Sequence, residues 1–132
     1  MDQHLLAEWR ELKMVPASLR RSLRGYSIDE ILRRIPPKFT LGRGHVTFFY
    51  DKLLYLHRRY DYLVKELIAR NFNLEYTGDF HKFTEDLPDE FSNTLWIPNS
   101  VDIEVSRNRI KEKIALKPDW YRYYGKPNLS LK

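Results

Sequence analysis

The 132-residue chain contains no cysteine. That removes disulfide bridges, zinc–thiolate sites and thiol nucleophiles together, and it suits an intracellular protein. No apolar run approaches the roughly 20 residues that a membrane-spanning helix needs, and the opening MDQHLLAEWREL does not read as a signal peptide. Internal repeats and low-complexity tracts are absent as well. The expectation is one soluble domain over residues 1–132, in a cytoplasmic setting, large enough to bury a core without staples.

Charge and aromatic rings are what the chain does have. The net charge is +5, and it is unevenly placed. Residues 1–60 carry twelve Lys/Arg against six Asp/Glu, residues 61–100 three against eight, and residues 101–132 eight against four. Two basic blocks flanking an acidic one point to a positive face and a negative back, the footprint of nucleic-acid binding; a solvated surface with chance clustering would give the same counts.

Hydrophobic periodicity predicts an all-α fold of three main helices, long irregular connections and an aromatic C-terminal segment. Leu5, Trp9, Leu12, Val15, Leu19 and Leu23 recur at three- and four-residue steps, so helix one should run from Asp2 to Leu23, bent near its middle by Pro16. SIDEILRRI (27–35) reads as a short helix with Ser27 and Glu30 forming a capping box. The longest pattern, Val46, Phe49, Leu53, Leu56, Tyr60, Leu63 and Leu67, predicts a central helix over residues 44–71. Phe48, Tyr50, Leu54, Val64 and Ile68 should widen its buried face. From Phe72 to Asn99 periodicity fails, apart from a turn at LPDEF (87–91), and a last helix should span Val101 to Leu116.

Several side chains could carry chemistry. His4, Glu8 and Glu11 lie at i, i+4 and i+7, on one strip of helix one. Zinc binding lacks an obvious fourth ligand, and no metal or other cofactor is expected. A carboxylate beside an apolar stripe could serve in general acid–base work; an ordinary helix glutamate paired with Arg10 or Lys13 is the plainer reading. LGRGH (41–45) could bring backbone amides and Arg43 to a phosphate, although glycines that simply let the chain turn explain it as well, and His45 then packs or caps a helix start. In DWYRYYGK (119–126), rings alternating with Arg122 and Lys126 could stack on bases, or could strap the bundle with Trp120 as the core member.

These same stretches carry a resemblance. DQHLLAEWREL, FTLGRGHVTFFYDKL and KPDWYRYYGK resemble, in order from Asp2 to Lys126, the pyrimidine-dimer DNA glycosylases, the phage-type "endonuclease V" repair enzymes. The resemblance implies an all-α monomer acting on ultraviolet-damaged double-stranded DNA. Such enzymes cleave the glycosidic bond of the 5′ pyrimidine of a cyclobutane dimer, then cut the backbone by β-elimination, kinking the duplex and extruding a base opposite the lesion. By motif, Glu11 matches the catalytic glutamate, Arg10 a DNA-contacting arginine and His4 a residue near the sugar–phosphate. Arg43 and His45 fall in the matching glycine loop. Arg109, Lys113 and Lys117 would hold phosphates, and Trp120, Tyr121, Arg122 and Tyr124 would line the DNA side. Met14 stands three positions after the glutamate, where the family pattern has room for an arginine.

The resemblance also implies a nucleophile, the α-amino group of a threonine on a short arm beginning Thr-Arg. An α-amine, with a pKa of about 8 against about 10.4 for lysine, keeps an unprotonated fraction near neutrality. The sequence given begins Met1-Asp2, so the expectation is an arm encoded upstream. A short form that binds DNA without cutting it is the alternative. An amine at Met1 or Asp2 would stand roughly 14 Å from Glu11 along the helix.

Overall fold

The computed structural model describes residues 1–76, 78–92, 94 and 96–127. It is all-α apart from one two-residue hairpin. None of the helices among the described residues is long and apolar enough to cross a membrane.

The first helix is two helices. α1 (Asp2–Leu12) and α2 (Met14–Ser22) meet at Lys13, which keeps helical angles (φ −70°, ψ −19°). A proline has no N–H to donate and its ring collides with the carbonyl four residues earlier. For Pro16 that residue is Leu12, where α1 stops. Pro16 thus marks an interruption of the helix, which falls at Lys13. Trp9, Leu12, Val15 and Leu19 are buried, as their spacing required.

α3 (Ile28–Arg34) follows the sequence closely. Ser27 Oγ accepts from the Glu30 amide (3.2 Å), the Glu30 carboxylate reaches back to the Ser27 amide (3.4 Å), and Ile31 plugs into the core.

The central helix departs from expectation. In place of one helix over 44–71 there is a single turn, α4 (His45–Phe48), a tight 3-10 turn (Phe49–Asp51), and α5 (Leu53–Ala69). The reason is three consecutive buried aromatics, Phe48, Phe49 and Tyr50. Successive residues of an α-helix are about 100° apart, so one face cannot bury three in a row. Lys52 then leaves helical geometry (φ −119°, ψ 34°). Its ammonium, almost wholly buried, donates to the Phe48 carbonyl (2.9 Å) and to Asp51 (2.7 Å), so the charge is paired. Leu53, Leu56, Tyr60, Leu63, Val64 and Leu67 form the inner stripe of α5. Leu54 and Ile68, expected to widen it, are exposed.

α1 packs along α5. The irregular segment closes another side of the core with isolated anchors, Phe80, Leu87 and Phe91, each buried. It contains one turn the pattern did not predict, α6 (His81–Thr84), and the predicted one as a 3-10 turn at Asp89–Phe91. α7 (Ser100–Leu116) starts at an Asn99–Asp102 capping box, and Ile114 is its only buried residue. β1 (Arg122–Tyr123) pairs antiparallel with β2 (Lys126–Pro127). Tyr124 (φ 51°) and Gly125 (φ 76°) make the turn, the left-handed pair that a two-residue hairpin of this twist demands.

Candidate functional site

The first turn of α1 grips the C-terminal hairpin with three successive side chains. The Asp2 carboxylate accepts from the amides of Tyr124 (2.9 Å) and Gly125 (2.7 Å) and from Arg70 Nη1 (2.9 Å). Gln3 donates to the Trp120 carbonyl (2.6 Å) and accepts from the Arg122 amide (2.9 Å). His4 lies flat on Tyr121, ring centroids 4.6 Å apart and 6° from parallel. Both His4 nitrogens are enclosed without a hydrogen-bond partner among the described residues. Burial first, then the charges of the terminal amine and Lys113, lower its pKa to about 4, so the ring is neutral at ordinary pH.

His4, Glu8 and Glu11 share a strip of α1, yet their side chains do not converge. His4 is under Tyr121. Glu8 is held by Arg59 through two bonds, Nε to Oε2 (2.5 Å) and Nη2 to Oε1 (2.8 Å). Glu11 is exposed and has no hydrogen bond or ion pair with any other described residue. Pairing with Arg10 or Lys13 does not occur, because the Lys13 ammonium rests over the Trp9 ring at 4.1 Å and Arg10 is itself exposed. Of the three acids of α1, two are occupied and Glu11 is available.

α7 supplies the cations. Arg109 and Lys113 are spaced i, i+4 on one strip of α7, Lys117 follows just past its end, and all three are exposed. Arg109 lies 3.6 Å from Glu112 in an exposed pair of little energetic weight. Lys117 hangs over the Trp120 ring at 5.8 Å. Lys117 reaches the Trp120 ring, and the Trp120 carbonyl accepts from Gln3 (2.6 Å), so these cations end beside the start of α1. From there the strip His4–Glu8–Glu11 continues for about 10 Å at the α-helical rise.

The aromatic tail corrects two expectations. Trp120, expected as the core member, is 57% exposed, and Tyr121, expected on the DNA side, is buried at 7% against His4. The hairpin turns alternate rings outward, and Tyr121 is the one that finds a flat partner. Arg122 folds its guanidinium onto the carbonyls of Asp119 (2.7 Å) and Tyr121 (3.4 Å). Tyr124 donates its hydroxyl to Glu66 (2.7 Å).

The LGRGH loop is a turn in which two of the amides are engaged within the loop. His45 N–H donates to the Gly42 carbonyl (3.1 Å), and Gly42 N–H donates to Thr40 Oγ1 (3.4 Å). Gly44 has φ 91°, and a Cβ there would meet Pro36 Cγ at 3.1 Å, so only glycine fits. His45 packs edge-on against Phe39 and Phe49 while its Nδ1 meets the Thr40 carbonyl (2.6 Å), a structural post at the helix start. Arg43 is exposed beside it.

Sequence reasoning passed over Asp2, Gln3 and Arg70, whose partners lie far along the chain. It also passed over Arg21 and Arg24, which like the predicted Arg10 are exposed and have no ion-pair partner among the described residues.

Fold and side chains together define a class: a small helical protein that sets an available carboxylate among exposed cations, an arrangement suited to a polyanion. Residues 1–78, more than half the chain, match the family model described as pyrimidine dimer DNA glycosylase. The chain belongs to that family, a DNA-repair glycosylase family whose substrate is DNA.

Proposed function

We propose that this chain acts on cyclobutane pyrimidine dimers in duplex DNA as a glycosylase and abasic-site lyase, with Glu11 as its acid–base residue. The observation that carries the reading is the state of Glu11, an exposed and unpaired carboxylate on the α1 strip that leads back to the α7 cations.

In this chemistry an amine attacks the sugar C1′ as the glycosidic bond breaks and its electrons leave with the pyrimidine; the amine then loses a proton, and the C1′–O4′ bond opens with O4′ taking up a proton, which leaves an imine linking enzyme to sugar. Loss of a C2′ proton then expels the 3′ phosphate. A carboxylate at Glu11 stabilises the positive charge developing at C1′ and carries the protons of imine formation and elimination. The amine belongs to a Thr-Arg arm ahead of Asp2, following the family resemblance. The Met1 amine suits the role poorly. Burial first and Arg70 next lower its pKa, which favours the nucleophilic form, but Asp2 and Glu11 are nine residues apart, which puts the start of α1 on the side opposite Glu11.

Arg10, Arg109, Lys113 and Lys117 would hold phosphates, and Arg43 would add a further cation. Trp120 would stack against the distorted duplex, while Tyr121, Arg122, Tyr124, His4 and His45 support the surface from within. Phosphate contacts position the enzyme, and deformability of the damaged step supplies part of the selectivity.

Borohydride trapping on abasic-site duplex tests the reading, using the chain extended by a Thr-Arg arm. The expected result is a covalent adduct that Glu11→Gln reduces by at least about a hundredfold, with duplex affinity changed less than about threefold, since the side chain makes no contact that folding depends on. No adduct from the extended chain would overturn the catalytic assignment. Salt-sensitive duplex binding without an adduct would instead identify a DNA-binding form that does not cut.

A further inference from the structure

The motif DQH at one end of the chain and WYRYYG at the other are each other's partners. Asp2 is 3% exposed, and its carboxylate fills a cup formed by two successive backbone N–H groups and a guanidinium. The two amides point the same way because Tyr124 and Gly125 are both left-handed, the arrangement in which a tight turn becomes an anion-binding nest. Arg70 completes the cup from the end of α5. Its Nε donates to Glu66 (3.0 Å), the carboxylate that also receives the Tyr124 hydroxyl, and its guanidinium plane lies 4.2 Å from the Tyr124 ring centroid and 5.0 Å from that of Tyr123. Burial alone would raise the Asp2 pKa, but the Gly125 amide, Arg70 and the Tyr124 amide outweigh it and hold the carboxyl below its usual range. Gln3 fixes the other limb of the hairpin at Trp120 and Arg122.

Two rings of that hairpin stand largely in solvent. Trp120 and Tyr123 are 57% and 54% exposed, and Trp120 stands under Lys117 at the end of the α7 cation strip. Holding them there needs a rigid turn, and β1 and β2 are two residues each, too short to be stable alone.

We propose that Asp2 and Gln3 are positioning residues for DNA binding. They latch the C-terminal hairpin onto α1 so that Trp120 and Tyr123 stand outward, beside the α7 cations, as a stacking platform for the duplex. The inference rests on the proposed DNA-binding function and adds the device that orients the aromatic surface.

The sign of one substitution separates this from simple electrostatics. Asp2→Asn removes a negative charge, so a charge effect alone would tighten binding to DNA. Positioning predicts weakening, by about tenfold for a coupled pair of sites. The experiment measures affinity for an abasic-site duplex in a double-mutant cycle of Asp2→Asn with Trp120→Ala/Tyr123→Ala, alongside amide hydrogen exchange. Asp2→Asn should speed exchange at Tyr124 and Gly125 while Leu56 and Leu63 stay protected. It should also weaken binding in the parent background and change it less than about twofold once the rings are gone. Gln3→Ala, which changes no charge, should behave in the same way and carries the test if Asp2→Asn does not fold. Opened hairpin amides with unchanged affinity, or equal weakening with and without the rings, would overturn the proposal. A parent chain that does not bind duplex would instead remove the DNA-binding reading and the latch's purpose with it, while the exchange data would still report the latch itself.

Discussion

His4 shows how a single residue converts burial into a pH dependence. Its ring is pressed against Tyr121, with Lys113 and the terminal amine nearby, and its pKa is lowered to about 4, burial being the largest cause. In the unfolded chain the imidazole titrates near pH 6.5. Between about pH 4 and pH 6.5 the unfolded state therefore binds a proton that the folded state refuses, so stability rises with pH across that window and falls on acidification through it. Thermal melts from pH 7.5 to 4.5 should show a decline in Tm that His4→Phe, which keeps the stack, makes shallower. An equal decline in the variant would mean that the other histidines dominate. Asp2 acts in a more acidic window, because its carboxyl is held below the usual range and its stabilisation is lost only as pH falls through that lowered value. The spacing of His4 placed it on the same strip as Glu11, but its partner is 117 residues away. Local pattern names the strip and cannot say which of its members the distant tail will cover.

At the scale of elements, periodicity located the helices and missed the places where they break. The apolar stripes of α1, α2 and α5 were readable because a helix face repeats on a fixed angle, and the capping box at Ser27 marked α3 to within a residue. The breaks at Lys13 and Lys52 follow from non-periodic facts, a proline ring reaching back to Leu12 and three neighbouring aromatics that must all be buried. The segment from Phe72 to Asn99 hid its core contribution for a similar reason. Phe80, Leu87 and Phe91 are single anchors at uneven spacing, so no window collects them. α7 was predicted almost to the residue, as Val101 to Leu116, although its Asn99–Asp102 capping box and its single buried side chain, Ile114, were not. That attachment gives a prediction at this scale. Ile114→Ala removes the one buried side chain of a helix that otherwise faces solvent, at a cost of about 2–4 kcal/mol to its docking. Hydrogen exchange along residues 100–116 should accelerate and duplex affinity should fall, while the melt of the α1–α5 core moves little. A core melt that drops as far as the docking would show α7 to be integral to folding.

Across the whole molecule, some acids of the acidic segment are used internally, while a set of cations in the two basic blocks is not. Asp86 is bound by Arg20, Asp79 lies 3.2 Å from His57, and Glu66 holds Arg70 and Tyr124. In the basic blocks, Arg10, Arg21, Arg24, Lys113 and Lys117 are exposed, with no ion-pair partner among the described residues. Each such ion pair removes as much positive charge as negative, so the net charge of +5 is left to the cations of the basic blocks that have no partner. A phosphate contact releases condensed counterions, so each one steepens the fall of log K with log salt by about 0.9 on duplex DNA. If Arg10, Arg21 and Arg24 contact a phosphate backbone, Arg21→Ala with Arg24→Ala should lower that slope by about 2 and weaken damaged and undamaged duplex to the same degree, because phosphates carry no sequence or lesion information. Titrations at several salt concentrations on both duplexes provide the measurement. An unchanged slope would assign the DNA track to α7 alone. A loss confined to damaged duplex would make these arginines readers of the deformed step, since only contacts that depend on the kink can distinguish the two substrates.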